Sequence, residues 1–428
     1  MRPQEAEQRL LALELFGMRF GLDRMRRLMT TLGHPERAFE SVHVVGTNGK
    51  SSTTRMIAAI LARHGLRTGA YLSPHLLGFN ERVRVDDHDI TPQQFADAIA
   101  RVLRAAERVN RSSAEDDPVT QFELLTAAAY SELAAQAVEV AVIEAGLGGR
   151  YDATNVIPSK VQVLTSVSLE HTRWLGPTVT AIAREKLDVV QPGATLVLGA
   201  DMHPDALAVA CEVAGERGVR IVQAPADPHA AVGALGTFQR RNFALARTAA
   251  EVFLDALGLG ALDEAAVAAA AAGVRVPGRL QAAGREPLTL LDGAHNPAGI
   301  AALAESLPEI VAAARSGDGR VVAVVSILED KDAAGMLAAL APHLDAVVLT
   351  ASRNPRTLPP PTLGSLLEQL APGIVIHHEI VPEPHAALRR ARTLAGPAGV
   401  VVATGSLYLI ADLLHDEAVA GARRASML

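Results

Sequence analysis

The sequence has almost no cysteine, few aromatic residues and no excess of basic charge. Cys211 is the one cysteine among 428 residues, which excludes an internal disulfide and a zinc site built from several cysteines. Forty Lys and Arg against 47 Asp and Glu give a net charge of −7, which disfavours a general nucleic-acid-binding role. Because aromatic residues make up only 3% of the chain, its core must be built from Val, Leu, Ile and Ala.

Long apolar runs are absent as well. No run reaches the ~18 residues that a membrane-spanning helix needs, and the alanine-rich stretch 265–272 is too short. Residues 1–21 mix Glu and Arg among the apolar positions, unlike a signal peptide. We therefore expect a soluble, cytoplasmic protein that binds neither membrane nor nucleic acid.

Short β-branched runs alternate along the chain with longer amphipathic segments, a pattern typical of βαβ units and a parallel sheet. A length of 428 residues suggests two or three domains at roughly 150 residues each. In the first part of the chain the pattern predicts helices at 51–64, 92–109, 120–137, 241–257 and 263–272. It predicts strands there at 41–45, 68–72, 138–143, 161–166, 195–198 and 219–222.

A turn to Gly, Val and Pro at residues 273–278 indicates a domain boundary. A second alternating series follows, with predicted strands at 288–291, 321–326, 346–350, 374–376 and 400–404. We therefore predict an α/β fold with two domains. Residues 1–276 form a larger domain with a parallel sheet, and residues 277–428 form a smaller, Rossmann-like α/β domain.

The strongest local signal is the glycine-rich segment 44–52 (VVGTNGKSS), between a predicted strand and a predicted helix. Glycines let successive backbone N–H groups converge on a phosphate, and the helix N-terminus adds positive potential. Lys50 can then reach the outer phosphates of a nucleotide. The usual P-loop pattern has Gly at the position of Val44, so this segment is a variant; the alternative is a glycine-rich turn with a solvated lysine.

Polar residues follow two further predicted strands. Glu144 ends a buried strand and is followed by a glycine-rich stretch, and His171 lies a few residues after another strand. Ligands in open α/β sheets bind beyond the carboxyl ends of strands, so a carboxylate there suits Mg²⁺ on nucleotide phosphates. Taken alone, Glu144 could equally form a surface salt bridge, and a lone His is more often structural than a ligand.

Two other segments are ambiguous by residue type. Lys186 lies in a predicted helix, where a solvated lysine paired with neighbouring acids is the ordinary interpretation. The segment 292–297 (DGAHNP) follows a strand and could bind a polar ligand or cap the next helix.

Together these segments resemble the folylpolyglutamate synthase and dihydrofolate synthase family, within the Mur ligase superfamily. The resemblance runs in order along nearly the whole chain. Its landmarks are 46–50, 71–76, 80–83, 122–123, 144–155 (EAGLGGRYDATN), His171 with 174–176, 185–186, Asn242, 277–280, 292–297, 330–332 and 404–408.

The resemblance implies an ATP- and Mg²⁺-dependent ligase that adds L-glutamate to dihydropteroate and to the γ-carboxylate of folates through an acyl phosphate. It also implies small-molecule substrates and a monomeric protein. Two alternatives stay open within this chemistry: a ligase limited to folylpolyglutamate synthesis, and a Mur-type amide ligase for another acid. A third, a P-loop ATPase or GTPase switch, would give no role to residues 292–297.

Site residues follow from the resemblance position by position. The phosphates of ATP would contact Thr47, Asn48, Gly49, Lys50, Ser51 and Ser52, with further ATP contacts from Asn242, Arg279 and Asp292. Mg²⁺ would bind Ser73, Glu144 and His171. The pterin substrate would contact Arg82, Thr120, Gln121, Phe122, Glu123, Tyr151, Asp152 and Ala153. Ser406 would lie near the glutamate, and the catalytic residues would be Lys50, Lys186 and His295.

Lys186 matches the lysine that the family carbamylates, which would turn an ammonium into a carboxylate-like group. The chain departs from the family pattern at four positions. Ser51 stands where Gly is usual, Glu170 replaces an Asp, residues 187–188 replace Ala-Gly after the lysine, and Ser326 replaces a Gly. None of these changes removes a group that the chemistry needs.

Overall fold

The chain divides into two compact units. A computed structural model describes residues 1–13, 21–111, 117–226, 231–314, 317–370 and 377–415. The first unit comprises Met1–Gly233 and Arg240–Val274, and the second comprises Ala234–Gln239 and Arg275–Leu428. The sequence-based division ended the first domain at residue 276 and did not assign residues 234–239 to the second.

An eight-stranded sheet organises the first unit, in the order β4-β3-β2-β5-β1-β6-β7-β8. The six strands from β2 to β8 in this order are parallel, and β3 and β4 join as antiparallel strands. The strands are β1 Glu40–Val45, β2 Thr68–Tyr71, β3 Val83–Val85, β4 His88–Asp89, β5 Val140–Glu144, β6 Val161–Leu164, β7 Thr195–Leu198 and β8 Arg220–Gln223.

Helices cover both faces of this sheet, as its buried strands require. They are α1 Pro3–Leu11, α2 Asp23–Thr31, α3 Lys50–Arg63, α4 Pro92–Arg111, α5 Gln121–Ala135, α6 Thr172–Leu175, α7 Val179–Leu187, α8 Pro204–Arg217, α9 Thr237–Leu257 and α10 Glu264–Gly273. Ala141 and Ile143 of β5 pack into one core cluster with α1, α2, α4 and α5. Side chains alternate across a strand, so the other residues of β5 face away from this cluster.

The β3–β4 hairpin was not predicted. Its two turn residues, Asp86 and Asp87, both have positive φ, of 48° and 64°. This is the geometry of a type I′ turn, which matches the twist of a two-residue hairpin and favours Asp and Asn. The hairpin extends the sheet beyond β2 and brings Arg82, just before β3, towards the end of β2.

A six-stranded sheet organises the second unit, in the order β13-β12-β11-β14-β10-β9, with only β9 antiparallel. Its elements are β9 Gln281–Arg285, β10 Leu288–Leu291, α11 Pro297–Ala314, β11 Val321–Val325, α12 Ala333–Leu340, β12 Ala346–Leu349, α13 Pro360–Glu368, β13 His377–Ile380, α14 Pro384–Ala395 and β14 Val400–Thr404, then a helix at 407–415. The strand predicted at 374–376 lies outside the described residues, and β9 was not predicted.

Among the described residues, α11 alone has the length and apolar composition of a membrane-spanning helix. It also contains Glu305 and Glu309 and a proline, Pro308. Its apolar residues Ile300 and Leu303 are buried in the core of the second unit. The helix therefore packs on the second sheet. The predicted α/β class with parallel sheets is confirmed.

Candidate active site

The glycine-rich loop after β1 turns sharply into α3. Gly49 precedes the helix with a φ of 86°, a conformation that residues other than glycine rarely adopt. A Cβ at this position would lie 2.6 Å from Oδ1 of Asn242, in α9. The sequence-predicted residues Gly49 and Asn242 are therefore neighbours, and the N-terminus of α3 points its backbone N–H groups into the loop.

The residues that follow β6 hold this loop in place. The Thr47 N–H donates to the Ser166 carbonyl (2.7 Å) and the Asn48 N–H to Ser166 Oγ (3.0 Å), while Thr165 Oγ1 donates to the Asn48 carbonyl (2.6 Å). Ser168 N–H donates to Thr47 Oγ1 at 3.1 Å. The sequence did not predict this loop-holding role for Thr165 and Ser166; hydroxyls at the end of a buried strand were the available signal.

Two lysines meet at the carbonyl of Gly46. Lys50 Nζ donates to the Gly46 and Thr47 carbonyls at 3.1 and 3.2 Å, and Lys186 Nζ donates to the Gly46 carbonyl at 2.9 Å. Lys186 is buried, and burial, assisted by the charge of Lys50, lowers its pKa to about 7. The interpretation of Lys186 as a solvated helix lysine is therefore wrong, because its amine is buried and contacts the glycine-rich loop at Gly46.

Glu144 lies at the carboxyl end of β5 and is buried. One carboxylate oxygen accepts a hydrogen bond from Ser51 Oγ (2.9 Å), and the other accepts one from the backbone N–H of Ser73 (3.1 Å). Three of the predicted site residues thus come together at one carboxylate. Ser52, the next residue of α3, is buried.

Arg82 contacts the side chains of Ser73 and His75, next to Glu144. Its Nη1 donates to Ser73 Oγ at 3.3 Å, and its Nε donates to His75 Nδ1 at 2.9 Å. Burial, followed by the charge of Arg82, lowers the pKa of His75 to about 3. His75 is therefore a neutral hydrogen-bond acceptor at physiological pH.

His171 precedes the short helix α6 and has a left-handed φ of 52°. Its Nε2 lies 3.6 Å from a carboxylate oxygen of Glu170. Within the described residues, no three His, Cys, Asp or Glu side chains form a cluster that could hold a metal ion. The predicted set of Ser73, Glu144 and His171 contains only two side chains of those types and a hydroxyl, so it is consistent with this result.

The glycines after Glu144 allow close packing. A Cβ at Gly146 would lie 2.4 Å from the Phe122 ring, and one at Gly149 would lie 2.4 Å from the Lys186 carbonyl oxygen. The Arg150 N–H also donates to the Glu185 carbonyl at 3.0 Å. This loop therefore connects the predicted pterin-site residue Phe122 with the helix that carries Lys186.

Asp152, predicted to contact the pterin, lies inside this loop. Its carboxylate accepts backbone N–H groups of Leu147 (2.7 Å) and Thr154 (3.0 Å) as well as the Thr154 hydroxyl. Burial raises its pKa despite these bonds. Both carboxylate oxygens thus hold the loop. Of its neighbours, Tyr151 is exposed and Ala153 is buried.

Glu123, like Asp152, stabilises the local backbone through its carboxylate. It forms a capping box with Thr120 at the start of α5, and both its carboxylate oxygens accept from Arg24 Nε at 3.1 Å. The Arg24 and Glu123 side chains are only 8% and 7% exposed. Gln121 donates to the Leu10 carbonyl at 2.7 Å. Phe122 is thus held on a helix start that buried polar contacts fix.

In the second unit, Asp292 follows β10 and is buried. It accepts the backbone N–H groups of Leu280 (2.9 Å) and Ala294 (2.8 Å), and burial raises its pKa while the nearby Arg279 lowers it. A Cβ at Gly293 would lie 3.0 Å from Arg279 Nη1. The predicted ATP contacts Arg279 and Asp292 are therefore neighbours.

The other predicted residues of the second unit lie at the same end of its sheet. His295 Nδ1 lies 2.9 Å from the Gly293 carbonyl oxygen; because a carbonyl only accepts, this nitrogen carries the proton. Ser406, after β14, is buried and accepts the Tyr408 N–H at 3.1 Å, and the Gly405 N–H donates to the Ala294 carbonyl at 3.0 Å.

The first unit fits a nucleotide and a hard cation by the chemistry of its groups. A helix N-terminus preceded by a left-handed glycine offers backbone N–H groups, and Lys50 adds a positive charge. The Glu144 carboxylate, which contacts the Ser51 hydroxyl and the backbone of Ser73, belongs to the class of oxygen donors that Mg²⁺ prefers.

Two family models match most of the chain. Residues 44–234 match the Mur ligase middle domain, and residues 278–407 match the Mur ligase glutamate ligase domain. A Bacillus subtilis protein named dihydrofolate synthase/folylpolyglutamate synthase is 31% identical over 424 residues, covering 93% of this chain and 95% of that protein. The Mycobacterium tuberculosis protein of the same name is 35% identical over 373 residues, 79% of this chain and 75% of that one.

Solved structures are similar over nearly the whole chain. A Mycobacterium tuberculosis folylpolyglutamate synthase complexed with ADP has a TM-score of 0.86 at 30% identity and covers 97% of each chain. An Escherichia coli protein, FolC, in complex with DHPP and ADP has a TM-score of 0.85 at 28% identity and covers 99% of each chain. A bifunctional Yersinia pestis synthase complexed with AMPPNP and a Mn ion has a TM-score of 0.81 at 28% identity, covering 97% of this chain and 98% of that one.

Proposed function

Because the chain belongs to the dihydrofolate synthase/folylpolyglutamate synthase family of Mur-type ligases, we propose that it adds L-glutamate to dihydropteroate and to the γ-carboxylate of folates at the cost of ATP. The observation that carries this proposal is the buried Glu144 carboxylate, which joins Ser51 of the phosphate-binding helix to Ser73. This arrangement supports a metal-binding role for Glu144, because its carboxylate lies between the nucleotide loop and the residues that follow β2.

The reaction needs activation because a carboxylate is a poor electrophile. Transfer of the γ-phosphoryl group of ATP to the pteroate or folate carboxylate gives an acyl phosphate and ADP. The neutral amine of L-glutamate attacks the acyl carbon, phosphate leaves, and the amine loses a proton as the amide forms. The protein's contribution is mainly positioning and electrostatic stabilisation, which Lys50 and the α3 N-terminus supply in this proposal.

Mg²⁺ would be held by Glu144, Ser73 and His171, with water in the remaining positions. When bound, it neutralises phosphate charge and orients the transferring group. Asn242, Arg279 and Asp292 would complete the ATP site. Residues 1–276 would bind ATP and the pterin, and residues 277–428 would bind glutamate, with His295 as a catalytic residue and Ser406 beside the amino acid.

The pterin would lie near Phe122 and Tyr151. This pocket would be shaped by Asp152, Ala153 and residues 120–123. Asp152 and Glu123 would do so indirectly, by holding the backbone around the pocket in place. We further propose a monomeric, cytoplasmic enzyme that has only small-molecule partners.

The test is a ligation assay with ATP, Mg²⁺ and L-glutamate, in which dihydropteroate and tetrahydrofolate are supplied in turn and products are identified by mass. A product from each acceptor is expected. A product only from tetrahydrofolate would leave a monofunctional folylpolyglutamate synthase. Phosphate release without any amide product would contradict the proposal and favour a ligase for another acid or a nucleotide switch.

Lys186 is proposed to react with CO₂ to form a carbamate, with loss of one proton. Only the neutral amine reacts, and its pKa of about 7 supplies that form at and above neutral pH. We expect removal of bicarbonate to lower turnover at pH 8, bicarbonate to restore it, and the restoration to fade at pH 6, where the amine is protonated. Lys186→Arg should show no response to bicarbonate. Equal turnover with and without bicarbonate at pH 8 would contradict the assignment.

A further inference from the structure

One carboxylate, that of Glu81, holds three consecutive residues of the loop between β2 and β3. Glu81 accepts three backbone hydrogen bonds, from the N–H groups of Leu76 (3.0 Å), Leu77 (3.0 Å) and Gly78 (2.9 Å). Three charge-assisted bonds to one side chain fix the backbone path of residues 76–78. His75 and Arg82 are the residues that flank this braced segment.

The ring of His75 is fixed by packing. Its centroid lies 4.3 Å from that of Phe79, which is buried and stacks on Phe95 at 6.0 Å and 14°. Arg82 Nε donates to His75 Nδ1 at 2.9 Å. Because an arginine Nε always carries a proton, His75 Nδ1 presents a lone pair and its proton lies on Nε2.

Two further contacts orient the guanidinium of Arg82. It lies over the face of Phe79, 5.7 Å from the ring centroid, and its Nη1 reaches Ser73 Oγ at 3.3 Å. The backbone N–H of Ser73 donates to Glu144. Ser73 therefore contacts both the guanidinium of Arg82 and the carboxylate of Glu144, which is proposed to hold Mg²⁺.

We propose that His75 is a positioning residue for ligation: its Nδ1 holds the Arg82 guanidinium beside Ser73, where Arg82 binds the carboxylate of the pteroate or folate substrate. This inference rests on the proposed function. A guanidinium recognises a carboxylate through a planar fork of donors, so its orientation decides how well it binds. Loss of the acceptor on His75 removes the shortest of these contacts and leaves Arg82 with the weaker contacts to Ser73 and Phe79.

Two substitutions separate the acceptor from the ring. His75→Phe keeps an aromatic ring against Phe79 and removes the acceptor. His75→Asn loses the ring but keeps an acceptor, since Oδ1 of Asn is attached to Cγ as Nδ1 is in His. We expect His75→Phe to raise KM for the pteroate or folate acceptor by about 10- to 10²-fold, the range typical of a misplaced binding group, with KM for ATP unchanged. His75→Asn should stay within about threefold of wild type.

The reverse order, with Asn impaired and Phe intact, would show that ring packing is what matters and would overturn the proposal. Unchanged kinetics in both variants would overturn it too. His88→Phe, on the exposed β4 strand, is the matched control and should behave as wild type. Thermal melting identifies variants that fail to fold, and His75→Leu is a second acceptor-free variant should His75→Phe do so.

A double-mutant cycle shows whether His75 acts through Arg82. In an Arg82→Lys background, which removes the Nε donor, His75→Phe should cause no further rise in the acceptor KM. A full additional rise would mean that His75 acts independently and would overturn the inference. Wild-type ligation of both acceptors is measured first, because its absence would reject the proposed function rather than the part given to His75.

Discussion

Lys50→Ala is expected to lower turnover by about 10²- to 10³-fold, the usual cost of removing one group that stabilises charge in a transition state. Lys50 lies at the start of α3, with its ammonium against the loop carbonyls of Gly46 and Thr47. In the proposed reaction this charge would stabilise the phosphoryl group as it moves from ATP to the substrate. The measurement is kcat with saturating ATP, alongside thermal melting.

The matched control for this change is Lys160→Ala. Lys160 is a half-exposed lysine whose Nζ lies 3.9 Å from Glu40, at the opposite end of the strands from the loop. It should retain wild-type turnover, because an exposed ion pair contributes little to stability. Wild-type turnover in Lys50→Ala, measured on folded protein, would contradict the assignment of the phosphate-binding loop.

Glu144→Gln is expected to produce the second large loss. The amide keeps the size of the side chain and can keep both contacts, its oxygen accepting from the Ser73 N–H and its nitrogen donating to Ser51 Oγ, but it removes the negative charge. We expect the Mg²⁺ concentration for half-maximal activity to rise by about 10- to 10²-fold and turnover to fall by about 10²-fold, in the range found for groups that tune or stabilise such sites.

Two measurements distinguish a metal ligand from a structural acid. Binding of AMPPNP is measured by calorimetry with and without Mg²⁺; the wild type should bind more tightly with Mg²⁺, and Glu144→Gln should lose that difference. Glu139→Gln changes an acid near the other end of the same strand, where its carboxylate accepts the Arg67 N–H, and should keep the Mg²⁺ response. A stability loss in Glu144→Gln without any change in Mg²⁺ dependence would make the residue structural.

The order of elements could be read from the sequence because most strands are buried on both faces. β5, β6, β11 and β14 consist mostly of Val, Ile, Leu and Ala, and β1 adds the buried polar residues Ser41 and His43. The observed bounds of these five strands lie within two residues of the predicted ones. A Thr directly before a Pro at the start of a helical pattern indicates an N-cap, and Thr91 Oγ1 accepts the Gln94 N–H at the start of α4 at 3.2 Å. Family membership, predicted from ordered motifs, is likewise confirmed.

The antiparallel strands β3, β4 and β9 were missed for a physical reason, although the edge strand β8 was predicted. β9 and the β3–β4 hairpin are short, polar and partly exposed, so they have little of the burial that makes central strands apolar. Their signals lie in turn geometry instead, such as the paired positive-φ residues Asp86 and Asp87.

The sequence predicted those site residues that belong to short local motifs. The loop residues Gly49 and Lys50 follow from their spacing, but the contact of Lys186 with Gly46 joins residues 140 positions apart. No local pattern predicts such a contact, and its burial changes the chemistry of the amine. The two acids Glu123 and Asp152 stood at family motif positions, yet the structure shows their carboxylates bound to Arg24 and to backbone N–H groups respectively.

The buried pair of Arg24 and Glu123 constrains how this protein can evolve. Losing Arg24 would leave the Glu123 carboxylate buried without its ion-pair partner, at a cost of about 3–5 kcal/mol, whereas Arg24 would keep its ion pair with Asp117 (2.6 Å) if Glu123 were lost. Replacement of Glu123 by an apolar residue would also remove half of the capping box on α5, leaving the Thr120 hydroxyl as its N-cap. In an alignment of relatives, a change at position 24 should therefore be accompanied by a change at position 123.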